Sequence, residues 1–234
     1  MKSKRSDKSY TVEFRSRIIL LLLMLIPWSV ISCYEQSSEV SIRHFYVTYT
    51  IDDNGTTADI TAQLRIIDAS GDEIELDDGD SISVNGNLLD DDSSTDELVY
   101  SVSCTSSDEY TFQFTKADEV HTDVVDMPVE LDSLTIPSSI NSNEAFSVDW
   151  GNYEAGSIVE LYFYQGDESK YCSIADDSST VYNGDNSAWL AGFDPGTVSM
   201  TACRTRNYSI NRSFGGGDIV VRGPRTTAVN VTLN

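Results

Sequence analysis

The stretch Phe45-Tyr46-Val47-Thr48-Tyr49-Thr50-Ile51, then Asp52-Asp53-Asn54-Gly55, then Ala58-Asp59-Ile60-Thr61-Ala62-Gln63-Leu64-Arg65-Ile66, decides the fold class. Apolar residues fall at every second position on both sides of a turn rich in Asp, Asn and Gly. Side chains alternate between the two faces of a strand, so this period of two predicts strands with one face buried. Asp, Asn and Gly close the pair because they tolerate the backbone of tight turns. Further strands are expected over residues 73–76, 81–84, 98–104 and 110–116, separated by Ala69-Ser70-Gly71-Asp72, Asp77-Asp78-Gly79-Asp80, Asn85-Gly86 and the acidic loop 90–97. No stretch shows a convincing amphipathic helical period. The expected fold is all-β, an antiparallel β-sandwich.

Met127-Pro128 and Ile136-Pro137 bracket a stiff, extended joint, after which the strand pattern starts again. The chain therefore reads as two β-sandwich domains in series, over residues 42–128 and 129–234. In the second half, three segments resemble fibronectin type III and other immunoglobulin-like domains. Ala145-Phe146-Ser147-Val148-Asp149-Trp150 is similar to their second strand, which ends on a buried tryptophan. Ile158-Val159-Glu160-Leu161-Tyr162-Phe163-Tyr164 is similar to the third, and Asp194-Pro195-Gly196-Thr197-Val198-Ser199-Met200-Thr201-Ala202 to the turn and penultimate strand. Val198 stands where those domains often place a corner tyrosine. The resemblance implies an immunoglobulin-like sandwich and no particular activity.

Ahead of the strands, Lys2, Lys4, Arg5, Lys8, Arg15 and Arg17 precede an apolar run from residue 18 to 26, then Val30-Ile31-Ser32-Cys33. Nine apolar residues span about 14 Å as a helix, roughly half of a hydrocarbon core, which is the layout of a signal peptide. Val30-Ile31-Ser32-Cys33 resembles the lipobox of bacterial lipoproteins. That resemblance implies removal of residues 1–32, acylation of Cys33 and a stable membrane anchor with a lipidated tether over residues 33–41. Tyr34, in place of the Asp typical of lipoproteins kept in the inner membrane, points to the outer membrane. A plain secretory signal and an uncut anchor are the alternatives.

Removing residues 1–32 takes away six of 15 basic and two of 38 acidic residues, leaving a net charge of −27. Such a field disfavours nucleic acid and anionic lipid as partners and favours solubility. Five of the nine remaining basic residues are Arg204, Arg206, Arg212, Arg222 and Arg225, which either dock an acidic partner or neutralise the chain's own surface. Gly215-Gly216-Gly217 is expected to turn the last hairpin.

Cys172 and Cys203 share the second half and are expected to form a disulfide in an oxidising compartment, closing a loop worth about 3–4 kcal/mol. Cys104 is expected to be a buried thiol. Oxygen-rich clusters at Asp52, Asp53 and Asn54, at Asp77, Asp78 and Asp80, and at Asp90, Asp91 and Asp92 are candidate calcium ligands, although turn chemistry accounts for the same residues. Tyr162 and Tyr164 share the strand face opposite Val159, Leu161 and Phe163, a candidate surface for protein or sugar. His44 and His121 stand alone, and no catalytic motif or zinc spacing occurs. These features predict a non-catalytic interaction, adhesion or assembly module of the cell envelope, with an envelope protein or a glycan as partner. A calcium- or carbohydrate-binding surface protein is the alternative.

Overall fold

The alternation of the opening stretch becomes a strand hairpin whose even-numbered and odd-numbered residues part company. The computed structural model describes residues 35–92, 97–141, 144–176, 181–182, 187–210 and 214–234; the proposed signal, Cys33 and Arg212 lie outside them. Eleven main strands run in order: β1 (Phe45–Asp53), β2 (Thr57–Ile66), β3 (Ser81–Val84), β4 (Tyr100–Thr105), β5 (Glu109–Lys116), β6 (Glu119–Asp126), β7 (Ser157–Gln165), β8 (Glu168–Asp176), β9 (Gly196–Ser209), β10 (Gly216–Arg222) and β11 (Val229–Leu233). The helical pieces among the described residues are three short 3₁₀ turns. The chain is all-β.

In β1, Phe45, Val47, Tyr49 and Ile51 are buried, and in β2 so are Ala58, Ile60, Ala62 and Leu64. They face Ile82 and Val84 of β3, Tyr110, Phe112 and Phe114 of β5, and Val125 of β6. The Tyr49 and Phe112 rings stack at 4.2 Å between centroids across this core. A second core gathers Val159, Leu161 and Phe163 of β7, Val198, Met200 and Ala202 of β9, and Val231 and Leu233 of β11 around the buried Trp150. Burial of this many aromatic and aliphatic side chains, each worth about 1.5–3 kcal/mol, holds both layers.

The two cores are not two separate sandwiches. β9 is 14 residues long, and its two halves have different partners on one edge. Its first half pairs with β11 and its second half with β10, which in turn pairs in parallel with β1. One sheet therefore runs β4-β2-β1-β10-β9-β7-β8 through both halves of the chain. Ile210, Phe214, Ile219 and Val221 pack into the first core, so the expected assignment of residues 129–234 to a single second domain is corrected. Most of the pairing is antiparallel, as expected. Among the described residues three pairings are parallel: β10 with β1, Ser139–Ile140 with β11, and Glu35–Gln36 with Ile74–Glu75.

The glycines serve this junction. Gly216 and Gly217 lie inside β10, and a Cβ on Gly217 would stand 2.0 Å from the carbonyl oxygen of Val47. Close backbone approach, rather than the turn alone, requires glycine there.

The expected tether is corrected too, because the chain is already pinned from residue 35. The Glu35 amide donates to Glu73 O at 3.0 Å. The buried Ser37 donates to Asp80 at 2.6 Å and accepts from the Asp77 amide at 2.8 Å.

Candidate interaction face

Because cross-strand neighbours point to the same side, the residues that alternate with the cores form one continuous outer face on the seven-strand sheet. Register sets its rows. Asp59 of β2 stands opposite Asp52 of β1, which stands opposite Arg222 of β10 and then Thr205 of β9. In the second half the rows are Cys203–Glu160–Ser173, Thr201–Tyr162–Tyr171 and Ser199–Tyr164–Ser169, across β9, β7 and β8.

The middle of this face is a connected polar network. Glu160 accepts from the Tyr162 hydroxyl at 2.6 Å and lies 3.4 Å from Arg222 Nε. Arg222 Nη1 is 3.5 Å from both carboxylate oxygens of Asp52. Burial works against the Arg222 cation, but the Asp52 and Glu160 charges outweigh it and raise its pKa. Residues 223–226 stay bonded along β9, with Gly223 donating to Arg204 O at 2.8 Å and Thr226 to Ala202 O at 2.7 Å. This holds Arg225 over the tyrosines: its guanidinium sits 4.0 Å from the Tyr162 ring centre and donates to the Tyr164 hydroxyl at 2.8 Å.

The expected pair of tyrosines is thus brought together but half-covered by Arg225. The open ring is Tyr171, 72% exposed, 6.4 Å from Tyr162 and tilted 30° to it. Its neighbours along β8 on this side, Ser169 and Ser173, are small and exposed. Tyr171 went unnoticed in the sequence because only its alternation against Cys172 and Ile174 marks it. Next to Arg225 lies a cleft of about 280 Å³, lined by Asp52, Asp59, Cys203, Arg222 and the turn at Asp53 and Asn54. On the same side of β9, the buried hydroxyls of Thr201 and Thr205 have no hydrogen-bond partner among the described residues.

The calcium candidates are placed differently. Asp53 is buried and accepts from Gly55 N, Ser106 Oγ and Tyr110 OH at 2.6, 2.6 and 2.7 Å. Asn54 caps its own turn through Thr56 and Thr57. Asp77 accepts from the Ser38 amide, and hydrogen bonds from Ser38 hold its carboxyl below the usual range. Asp80 accepts from Ser37 and Ala117 and lies 3.7 Å from Lys116 Nζ, while Asp78 is exposed in the turn. Asp90 and Asp91 pair along β4, and Asp92 donates its amide to Val99 O. Lys116 also sits over Phe45, at the opposite end of β1 from Asp52 and Asp53, so the first two clusters stand about 25 Å apart. No group of three or more His, Cys, Asp or Glu side chains among the described residues could hold a metal.

The expected disulfide is corrected. Cys172 stands opposite Leu161 on the core side, whereas Cys203 stands opposite Glu160 on the outer side, and β7 lies between their strands. Two cysteines on opposite faces with a strand between them are outside bonding reach, and both are free thiols, as is Cys104. Burial pushes Cys172 up to about 12, and burial with Glu160 pushes Cys203 up to about 11. Raised values keep both thiols protonated at pH 8, and the thiolate is the reactive form. In a Cys33→Ser chain, Ellman's reagent at pH 8 is therefore expected to leave Cys172 and Cys203 largely unreacted until denaturant is added, when three thiols titrate. A Cys172–Cys203 linked peptide in non-reduced digests would contradict this.

Three of the late arginines pair with the chain's own acids: Arg204 with Asp176, Arg206 with Glu154, and Arg222 with Asp52 and Glu160.

No family model matches the chain, and no curated protein matches it. Among solved structures, the chain is similar to the human OSCAR ligand-binding domain, with a TM-score of 0.27 and 10% identity over 85% of this chain and 100% of that one.

Proposed function

We propose that this is a cell-envelope lipoprotein, acylated at Cys33 and held at the outer membrane, that acts as a non-catalytic interaction module. The observation that carries the interaction reading is the outer face. It is the outer side of one sheet that runs through both halves of the chain, covered in its middle at Cys203, Thr205 and Glu160, and it ends on the open ring of Tyr171. A surface with an exposed aromatic side chain and a polar surround is a common composition of a recognition site. The Val30-Ile31-Ser32-Cys33 motif supports the anchor, and the pinning of Glu35 and Ser37 supports a fold held close to the membrane. The acidic balance supports an envelope protein or a glycan as partner and speaks against nucleic acid.

The test is cross-linking in native membranes followed by mass spectrometry, with Cys33→Ser in parallel. The expected result is membrane fractionation that depends on Cys33 and a recurrent partner whose cross-links map to the outer face. Fractionation unchanged by Cys33→Ser would remove the anchor. Cross-links confined to the first-core sheet β6-β5-β3 would remove the assigned face.

A further inference from the structure

We propose that the outer face from Tyr171 to the Asp52–Arg222 cleft binds an uncharged oligosaccharide, an inference that rests on the interaction face described above and names its ligand. Charge decides first between ligand classes. From Cys33 onward the chain carries a formal net charge of −27, so polyanionic ligands are repelled. On the face itself the charges nearly balance, with Arg222 paired to Asp52 and Glu160 and Arg225 lying on Tyr162 beside Asp59. A polar face with little charge left over suits an uncharged ligand.

The shape and chemistry of the face agree with a sugar. The C–H face of a pyranose packs on an aromatic ring, and the Tyr171 ring is open, with serines on either side that leave room for a ring to lie on it. Beside it, the Arg225 guanidinium is already stacked on Tyr162 and hydrogen-bonded to Tyr164. Its orientation is set before a ligand arrives, so little side-chain freedom is lost on binding. Further along, Arg222, Asp52 and Asp59 supply planar donors and acceptors that suit neighbouring hydroxyl pairs. Tyr171 and Asp52 lie four strand spacings apart and four residues apart along the strands, about 23 Å in all, which fits a short run of sugar rings rather than a single one.

The experiment is a glycan array carrying neutral and acidic oligosaccharides, probed with the chain from residue 33 bearing Cys33→Ser. Affinity electrophoresis in the corresponding soluble polysaccharides follows. The expected result is retention by at least one neutral glycan, weakened about tenfold or more by Tyr171→Ala and by Arg225→Ala. Both side chains are exposed, and circular dichroism checks that both variants remain folded. Three results overturn the proposal: no neutral glycan bound, binding confined to acidic glycans, or neutral binding that both substitutions leave unchanged. Cys33-dependent capture of a protein partner together with an empty array overturns the glycan alone and leaves the anchored module standing.

Discussion

Arg204→Met is expected to lower the free energy of unfolding by about 3–5 kcal/mol, the cost of stranding one half of a buried ion pair. Arg204 is 1% exposed and lies where the two cores meet on the shared sheet. Its Nε donates to Asp176 at 2.6 Å, its Nη2 to Asn152 O at 2.9 Å, and its Nη1 to Val129 O. Asp176 is itself 0% exposed and accepts from Trp150 Nε1 at 3.1 Å and from the Glu154 amide at 3.0 Å. One guanidinium thus ties the joint after Pro128, the turn after Trp150, the end of β8 and the middle of β9. Removing it leaves the Asp176 carboxylate without its cation, and Asp176→Leu leaves the cation with only the more distant Glu154, 3.9 Å away. The double variant Arg204→Met with Asp176→Leu is expected to lose less than the sum of the singles, because the burial cost of both charges goes with them. Urea unfolding followed by circular dichroism checks all three. Additive losses would show that the two groups act independently.

Gly217→Val is expected to be the more damaging of two glycine exchanges in β10. The new Cβ would overlap the Val47 carbonyl oxygen at 2.0 Å, and the backbone φ of +139° is one that β-branched residues avoid. Relief requires β10 to leave β1, which uncovers Ile219 and Val221 and splits the sheet between the two cores. The expected outcome is a loss of about 4 kcal/mol or more, or failure to fold, the range reserved for backbone clashes and opened cores. Gly216→Ala is the matched comparison. There a Cβ meets only the Tyr46 ring at 3.2 Å, a side chain able to move aside, so a change of under about 1 kcal/mol is expected. Soluble yield, melting temperature and limited proteolysis between residues 204 and 222 distinguish the two. Equal behaviour of both variants would show that the β10–β1 contact is dispensable.

Other parts of the fold were open to reading one residue at a time. The alternation in β1, β2 and β5 is strict because one face of each is fully buried, and Asn85-Gly86 announces its hairpin through two positive φ values. β6 carries no such mark. Its turn is Ala117-Asp118, which reaches φ of +48° and +69° without glycine, and its burial is patchy from Glu119 to Val124. β9 was legible only to Ala202, since Cys203, Arg204 and Thr205 are all buried and erase the period of two. They are buried on both sides of the sheet, by residues that lie far away in the chain.

The candidate site divides in the same way. Tyr162 and Tyr164 could be placed on one face from β7 alone, because parity within a strand is a local property. Which residues join them is not. Arg225, Asp52 and Asp59 reach the same surface only because β10 pairs with β1, and Cys172 and Cys203 are kept apart only because β7 separates their strands. By itself, then, the sequence determined that the chain is all-β, where its main turns lie and which side of each regular strand is apolar, since these follow from backbone geometry and side-chain alternation. Only the tertiary structure decided that two cores share one sheet, that Arg204 joins them and that the tyrosines face Arg225. Those outcomes depend on which strand edges meet, and a strand's partner leaves little trace in its own residues.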